Sequence, residues 1–214
     1  MTQALADRGR FLTLEGGEGV GKSTQLKALA AALREYGIEV LETREPGGSA
    51  GAEAIRDLLL NGSADKWSPR AEALLFAAAR SDHVDKLVRP ALERGAWVVC
   101  DRFLDSSRAY QSGASGLADA DILALHRFGS EGLLPDRTLL LALPEGQAEE
   151  RARARDGDST DRFGSRQQDF HDKVSAAFCR YAQQEPERIR LIDANGAPSE
   201  VTSRLLTAIA DLLP

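Results

Sequence analysis

The sequence predicts an α/β fold in which a five-stranded parallel sheet carries helices on both faces. Short apolar runs alternate with segments of helical spacing along the 214 residues, which is the pattern of consecutive βα units. Several of these runs are apolar throughout rather than at alternate positions, as strands covered on both faces are. A chain of this length can bury a sizeable core, so we expect a single domain over residues 1–214.

The first part of the chain predicts two strands and two helices. Residues 11–14 are apolar and end at a glycine cluster, which predicts strand one followed by a tight turn. Helical spacing over residues 26–36, followed by Gly37 as a left-handed cap, predicts helix one. Strand two is expected at residues 38–43, and a helix rich in alanine and leucine at about residues 50–60.

The rest of the chain predicts three more strands. A long helical stretch begins at Pro69, and Pro90 should kink or divide it. Residues 97–100 predict strand three, which stops at Asp101 and Arg102. We further expect a strand at 138–143, a basic helix near 149–155, a helix ending near 184, a strand at 189–192 and a terminal helix. Ligands of doubly wound sheets bind outside the carboxyl ends of the strands, so we expect the site at that edge.

The composition excludes several classes of protein. The formal net charge of −6 opposes a broad nucleic-acid footprint, which needs many clustered Lys and Arg side chains. No apolar run is long enough to span a membrane and charges precede the first apolar run, so we expect a cytoplasmic location without membrane contact. The two cysteines, Cys100 and Cys179, are expected to be buried and reduced. The three histidines lack metal-ligand spacing.

One motif carries specific chemistry. Residues 16–23 match G-x-x-x-x-G-K-[ST] between a predicted strand and a predicted helix, which is the context that confirms a P-loop. We expect its backbone N–H groups to surround the phosphates of ATP, Lys22 to reach the β and γ oxygens, and Ser23 to ligate Mg²⁺. The predicted ATP-binding residues are Gly16, Gly17, Glu18, Gly19, Val20, Gly21, Lys22, Ser23 and Thr24. Kinases, GTPases and motor ATPases share this motif, so it does not choose the reaction.

The end of strand three favours phosphoryl transfer. The chain has no Asn-Lys-x-Asp stretch for guanine, and strand three ends in Asp101 and Arg102 rather than in adjacent acidic residues. One acid and one guanidinium group suit a metal-bound nucleotide beside a second phosphate, which Arg can bind through paired hydrogen bonds. We expect Asp101 to join Ser23 at the metal or to orient the Lys22 side of the site.

Outside the P-loop, several stretches form a pattern specific to one family. They are Thr43-Arg44-Glu45-Pro46-Gly47-Gly48, Phe76-Ala77-Ala78-Ala79-Arg80, Asp101-Arg102, Ser106-Ser107, Ala109-Tyr110-Gln111, Arg151-Ala152-Arg153-Ala154-Arg155 and Asp161-Arg162-Phe163. With them, the chain resembles the thymidylate kinase family nearly from end to end. The resemblance implies a P-loop NTPase fold, transfer of the γ-phosphoryl group of ATP to dTMP for dTTP synthesis, and a homodimer.

The resemblance also supplies an acceptor site. Phe76 and Arg80 are four residues apart on one helix and share a face, so they can stack on a pyrimidine and bind its carbonyl edge. The alternative is a core Phe76 and a surface ion pair of Arg80. Arg44 and Arg102 follow strands two and three, and the resemblance implies that both bind the acceptor phosphate; surface salt bridges are the alternative.

Four further residues complete the predicted dTMP site. Tyr110 resembles a family tyrosine that crowds the 2′ position of the sugar, and Glu18 resembles an acidic residue near the 3′-hydroxyl. A core tyrosine and a solvated loop glutamate are the respective alternatives. Ser107 and Gln111 belong to the same set.

A lid is expected over residues 149–165. Arg151 and Arg155 share one helical face, and glycines follow, which suits a closing segment; a solvated helix is the alternative. The variable P-loop positions hold no arginine, so the resemblance is to the bacterial type, in which lid arginines supply charge. It assigns Arg153 to the transferring phosphoryl group and Arg151 to the adenine side, and these two roles could be exchanged.

The predicted catalytic residues are Lys22, Asp101, Arg102 and Arg153. Two positions depart from the family pattern: Gly164 stands where an acidic residue is common, and Ser112 where glycine is usual. Two rival functions remain, a deoxynucleoside kinase with a neutral acceptor and a noncatalytic ATP-binding sensor. Arg44 and Arg102 argue against the first, because a neutral nucleoside needs no guanidinium pair.

Overall fold

The computed structural model describes residues 8–63, 65–144, 163, 166 and 168–214. Its five strands are β1 (Phe11–Glu15), β2 (Val40–Arg44), β3 (Trp97–Asp101), β4 (Arg137–Ala142) and β5 (Ile189–Asp193). They form one parallel sheet in the order β2-β3-β1-β4-β5. The predicted fold class is confirmed, and every predicted strand lies within two residues of its expected bounds.

Helices cover both faces of this sheet. They are α1 (Lys22–Glu35), α2 (Ala50–Leu60), α3 (Pro69–His83), α4 (Arg89–Glu93), α5 (Leu104–Ser107), α6 (Asp119–Ser130), α7 (Gln168–Gln184) and α8 (Pro198–Ala208). Two π-helical segments, Val84–Val88 and Arg108–Ala114, connect α3 to α4 and follow α5. In the described part of the chain, no helix is both long and apolar enough to cross a membrane.

The core lies on both faces of β1, which is buried along its whole length. On one face, Leu12 packs in a cluster with Leu29 of α1 and Leu205 of α8. On the other face, Phe11 packs edge-on against Phe103 at a ring separation of 4.8 Å. A strand with apolar contacts on both sides needs a continuous apolar sequence, and this explains the run at residues 11–14.

The helical stretch that begins at Pro69 is divided, as predicted. α3 ends at His83, the π-helical segment follows, and Pro90 lies in the first turn of α4. Proline has no N–H group, so the carbonyl one turn earlier loses its usual donor, and the wider π-helical turn accommodates that loss.

Two features differ from the sequence analysis. No element was predicted between β3 and β4, where the structure has α5, a π-helical segment and α6; the buried Ile122 and His126 of α6, four residues apart, carry a helical signal that was missed. Cys179 was expected to be buried but is exposed, whereas Cys100 is buried. The reason is that α7 buries a different face, formed by Val174, Ala177, Phe178 and Tyr181.

Three strands end side by side at the carboxyl edge of the sheet. Asp101 of β3 pairs with Leu14 of β1 on one side and with Arg44 of β2 on the other. The glycine loop that follows Glu15 therefore starts beside Asp101 of the neighbouring strand, and Arg44 lies one strand further along the same edge.

Candidate active site

The glycine loop between β1 and α1 requires glycine at specific positions. Gly16 has a φ of 132°, and a Cβ atom there would lie 2.4 Å from the carbonyl oxygen of Leu141. Gly21, directly before α1, has a φ of 93°. This backbone directs the first N–H groups of α1 into the loop, where the helix dipole favours an anion.

Lys22 is folded back against this loop. Its Nζ donates to the carbonyl oxygens of Gly16 at 3.1 Å and Gly17 at 2.6 Å. Burial, with a further contribution from the nearby Arg102 cation, lowers the pKa of Lys22 to about 7. The side chain is thus poised between its neutral and charged forms near neutral pH.

The predicted metal ligands lie together. The hydroxyl of Ser23, in the first turn of α1, donates to Oδ2 of Asp101 at 2.8 Å. This contact joins the glycine loop to the end of β3. Among the described residues, no cluster of three or more His, Cys, Asp or Glu side chains could hold a metal. An ion at this point would therefore be bound by one carboxylate and one hydroxyl of the described residues, together with ligands from outside them.

A cavity of about 250 Å³ opens next to the glycine loop. All the predicted dTMP-binding residues line it, together with Ser23 and Asp101: Glu18, Arg44, Phe76, Arg80, Arg102, Ser107, Tyr110 and Gln111. The sequence analysis therefore identified residues that the fold brings to one place. The cavity is continuous with the loop, because Glu18 and Ser23 belong to both.

Arg80 is held deep in the wall of this cavity. Its Nε donates to Glu45 Oε2 at 2.7 Å, and its Nη2 donates to the Phe103 carbonyl at 3.0 Å and to Ser107 Oγ at 2.9 Å. Arg80 is 3% exposed, so the alternative of a surface ion pair is wrong. Within the described residues nothing accepts from Nη1, which leaves that group for a ligand in the cavity.

Glu45 is shared between two cationic or potentially cationic side chains. Its other oxygen, Oε1, accepts from Nδ1 of His83 at 2.9 Å, and Nε2 of His83 lies 2.8 Å from Thr43 Oγ1. The Glu45–Pro46 peptide bond is cis. The end of β2 is thereby tied to α3, and Arg80 is aimed by a buried carboxylate.

Aromatic side chains form another wall of the cavity. Phe76 packs edge-on against Phe163 at a ring separation of 5.7 Å, and Phe163 packs likewise against Tyr110 at 6.1 Å. Gln111 is buried nearby and donates to Glu72 Oε1 at 2.9 Å. A flat ligand therefore meets a ring from α3 and an amide from the π-helical segment after α5.

The two arginines at the strand ends differ in their surroundings. Arg102 has a φ of 70°, and its guanidinium carbon lies 5.1 Å from the ring centroid of Tyr110. The Tyr110 hydroxyl is buried without a hydrogen-bond partner among the described residues, and burial raises its pKa. The Arg44 side chain is 56% exposed and pairs with Glu53 at 3.3 Å, so it lies in a surface ion pair at the rim of the cavity.

Comparison with known proteins identifies the family. The family model described as Thymidylate kinase matches residues 14–205. The chain belongs to the thymidylate kinase family. The predictions of this family and of an ATP-dependent nucleoside monophosphate kinase are confirmed.

Individual thymidylate kinases agree with the family match. The chain is similar to one from Rhizorhabdus wittichii, with 65% identity over 96% of this chain and 99% of that protein. It is similar to one from Bradyrhizobium diazoefficiens, with 49% identity over 99% of this chain and 94% of that protein. The crystal structure of thymidylate kinase from Ehrlichia chaffeensis has a TM-score of 0.77 and 29% identity, covering 95% of this chain and 99% of that one.

Four residues that hold this site together were assigned no role from the sequence: Glu15, Glu45, His83 and Ser106. Glu15 accepts hydrogen bonds from Phe103 and Ser106, and burial, together with the nearby Asp105, raises its pKa to about 7. Glu15 directly follows an apolar strand, as Asp101 does. The same argument about charges at strand ends would have found it.

The predicted lid lies largely outside the described residues. Arg151, Arg153, Arg155 and Gly164 all fall there. Phe163 is described, is buried and lines the cavity.

Proposed function

We propose that the chain transfers the γ-phosphoryl group of ATP to dTMP, giving dTDP and ADP, at the carboxyl edge of its sheet. One observation carries the proposal: a single cavity is lined both by P-loop residues and by an aromatic and guanidinium wall. The P-loop supports a nucleotide donor, and the second wall supports a planar acceptor that carries its own phosphate.

Lys22 and the loop amides would hold the donor. A phosphate at the start of α1 offers Lys22 better acceptors than the carbonyls of Gly16 and Gly17, and it favours the charged amine. Phosphoryl transfer needs alignment and positive charge rather than covalent chemistry from the protein. The buried position of Lys22 keeps that charge out of water, where it acts more strongly.

The Ser23 and Asp101 oxygens fit Mg²⁺, which prefers oxygen ligands and retains several waters. Ser23 would bind the ion directly, and Asp101 would bind it or orient its water, because the two side chains are already in contact at 2.8 Å. When bound, the ion neutralises charge on the β and γ phosphate oxygens. In this proposal, both residues therefore act on the ATP side of the site.

The base of dTMP would lie between Phe76 and the buried arginine. The free Nη1 of Arg80 supports a hydrogen bond to a carbonyl of the pyrimidine, while Gln111 supplies an amide on the same wall. The buried ring of Tyr110 leaves little room beside the sugar, which supports deoxyribose over ribose. Glu18 lines the same cavity and would approach the 3′-hydroxyl.

The acceptor phosphate would lie between Arg102 and Arg44. Arg102 is half-buried beside the P-loop, and Arg44 could exchange its exposed Glu53 contact for the phosphate at small cost. In the lid, we propose Arg153 for the transferring phosphoryl group and Arg151 for the adenine side. Closure of a lid over residues 149–165 would exclude water and limit ATP hydrolysis.

A panel of acceptors tests the function. ADP release would be measured with dTMP, dUMP, UMP, dCMP, AMP, GMP and thymidine at equal concentrations. We expect dTMP to give the highest kcat/KM and thymidine to give none, since a neutral nucleoside leaves both guanidinium groups unpaired. Turnover of thymidine would indicate a deoxynucleoside kinase, and tight ATP binding without transfer to any acceptor would indicate a sensor.

We also propose a homodimer in the cytoplasm. The dimer is supported by the family resemblance and by exposed apolar side chains on neighbouring helices, Leu74 of α3 with Leu123 and Phe128 of α6; Phe128 is 92% exposed. Light scattering after size-exclusion chromatography would measure the oligomeric state, and Phe128→Glu should shift it towards the monomer. Cell fractionation would test the location.

A further inference from the structure

A buried carboxylate ends β1 directly before the glycine loop, and no step proposed above uses it. Glu15 is 0% exposed and is not among the described residues that line the acceptor cavity. It is therefore not placed to contact the acceptor. A buried carboxylate is costly unless hydrogen bonds compensate it, so its partners indicate its role.

These partners lie in the turn after β3, which runs through Phe103 directly into α5. Oε1 of Glu15 accepts from the backbone N–H groups of Phe103 at 2.8 Å and Ser106 at 3.2 Å. Oε2 accepts from the Ser106 hydroxyl at 2.6 Å. The carboxylate thus fastens this turn against the end of β1.

The hydroxyl of Ser106 links Glu15 to a cation. The Ser106 hydroxyl donates to Oε2 of Glu15, the direction that the ionised carboxylate requires because it can only accept. The same oxygen lies 3.1 Å from Nη1 of Arg102, and a guanidinium group only donates. The hydrogen bonds therefore run in one direction, from Arg102 through Ser106 to Glu15.

We propose that Glu15 is a positioning residue that, through Ser106, fixes the guanidinium group of Arg102 for the acceptor phosphate. The inference rests on the proposed function, in which Arg102 binds that phosphate. The Arg102 backbone is held separately, by its N–H bond to Leu14 at 3.0 Å, and its guanidinium group lies over the ring of Tyr110. Ser106 accepts from Nη1, and Arg102 lines the cavity wall.

The neighbouring serine provides an internal control. Ser107 Oγ accepts from Nη2 of Arg80 at 2.9 Å, so adjacent hydroxyl groups serve two different arginines. Ser106 supports the arginine assigned to the phosphate, and Ser107 supports the arginine assigned to the base. A ligand with a phosphate and the same ligand without one should therefore distinguish the two serines.

The test compares three variants, Glu15→Gln, Ser106→Ala and Ser107→Ala, with wild type. Calorimetry would measure the binding of dTMP, thymidine and ADP to each protein. We expect Glu15→Gln and Ser106→Ala to weaken dTMP binding about tenfold, the effect of one charge-assisted hydrogen bond, and to leave thymidine and ADP within about twofold. Ser107→Ala should weaken dTMP and thymidine by the same factor.

Several results would overturn the inference. An equal loss of ADP binding would mean that Glu15 acts on the P-loop, and an equal loss of thymidine binding would mean that it acts on the whole pocket. Unchanged dTMP binding would remove the link to Arg102. A wild-type protein that binds no dTMP would instead refute the proposed function, which keeps the two failures apart.

A double-mutant comparison tests the proposal even if Glu15→Gln fails to fold. Ser106→Ala leaves Glu15 and its two backbone donors in place, so it isolates the link to Arg102. In an Arg102→Ala background, Ser106→Ala should cause no further loss of dTMP affinity. A further tenfold loss in that background would show that Ser106 acts independently of Arg102 and would reject the proposal.

Discussion

The donor and acceptor sides of this site are built in different ways. The donor side is one continuous loop, residues 16–23, whose function follows from backbone geometry at the start of α1. The acceptor side takes side chains from separate elements, among them Arg44 at the end of β2, Arg80 of α3 and Arg102 after β3. Hydrogen bonds to other side chains hold two of these three: Arg80 is bound by the buried Glu45, and Arg102 by the half-buried Ser106.

Because of this difference, the loss of a cation should have different effects on activity and on stability at the two sides of the site. The cation of Lys22 is buried at a cost that its loop contacts only partly offset, so removing it need not harm the fold. The cation of Arg80 compensates the buried carboxylate of Glu45, so removing it leaves that carboxylate with only its contact to His83. Removing the Lys22 cation should therefore affect activity alone, and removing the Arg80 cation should affect both activity and stability.

The largest expected effect lies on the donor side. Lys22→Ala should lower kcat for dTMP-dependent ADP formation about 10²- to 10³-fold, because a preorganised charge at the transferring group is lost. The melting temperature should not fall. Lys27→Ala, an exposed lysine of the same helix, is the matched control and should retain wild-type turnover. A fold that collapses without Lys22 would contradict the proposed separation.

The acceptor side should show the opposite behaviour. Arg80→Ala should reduce the free energy of unfolding by about 3 kcal/mol, since it removes the guanidinium group that pairs with the buried Glu45 carboxylate, and should also weaken dTMP binding. Arg44→Ala breaks an exposed pair and should change unfolding by less than about 1 kcal/mol. Urea unfolding of both variants measures the contrast. Equal stability losses would abolish the distinction between the two arginines.

The buried carboxylate of Glu15 should make stability depend on pH. Its pKa is raised from 4.5 to about 7, so the folded state favours the protonated form, and the associated stability, complete below pH 4.5, is lost as pH rises through 7. Raising the pH from 4.5 to 8 should therefore lower the free energy of unfolding of the wild type by about 3 kcal/mol relative to that of Glu15→Gln. Chemical denaturation at both pH values measures this. A pH-independent difference would mean that Glu15 stays ionised at little cost.

The smallest expected effect is the uptake of part of a proton when ADP binds. Because the pKa of Lys22 is lowered to about 7, the side chain is partly neutral slightly above pH 7, and a bound phosphate favours its charged form. ADP binding at pH 7.5 should therefore take up roughly half a proton or more. Calorimetry in buffers of different ionisation enthalpy measures this uptake, and Lys22→Ala should abolish it. Uptake that persists in the variant would assign the proton to another group.

The same contrast explains what the sequence could reveal. The P-loop was predictable because residues 16–23 are consecutive and their flanking elements have clear periodicity. The acceptor residues were predictable from short family stretches, but their supports were not, since Glu15 and Ser106 lie 91 positions apart. The π-helical segment after α5 was also missed, because a single π-helical turn has no sequence period of its own.

The contacts of Arg80 have a consequence for how this site can change over evolution. Its guanidinium group binds Glu45, which follows β2. The same group binds Phe103 and Ser107, which follow β3. A mutation there that altered base preference would simultaneously loosen two strand ends, and it would survive only with compensating changes. Selection for a new pyrimidine should accordingly recover substitutions at half-buried Phe76, where only packing is exchanged, before any at Arg80.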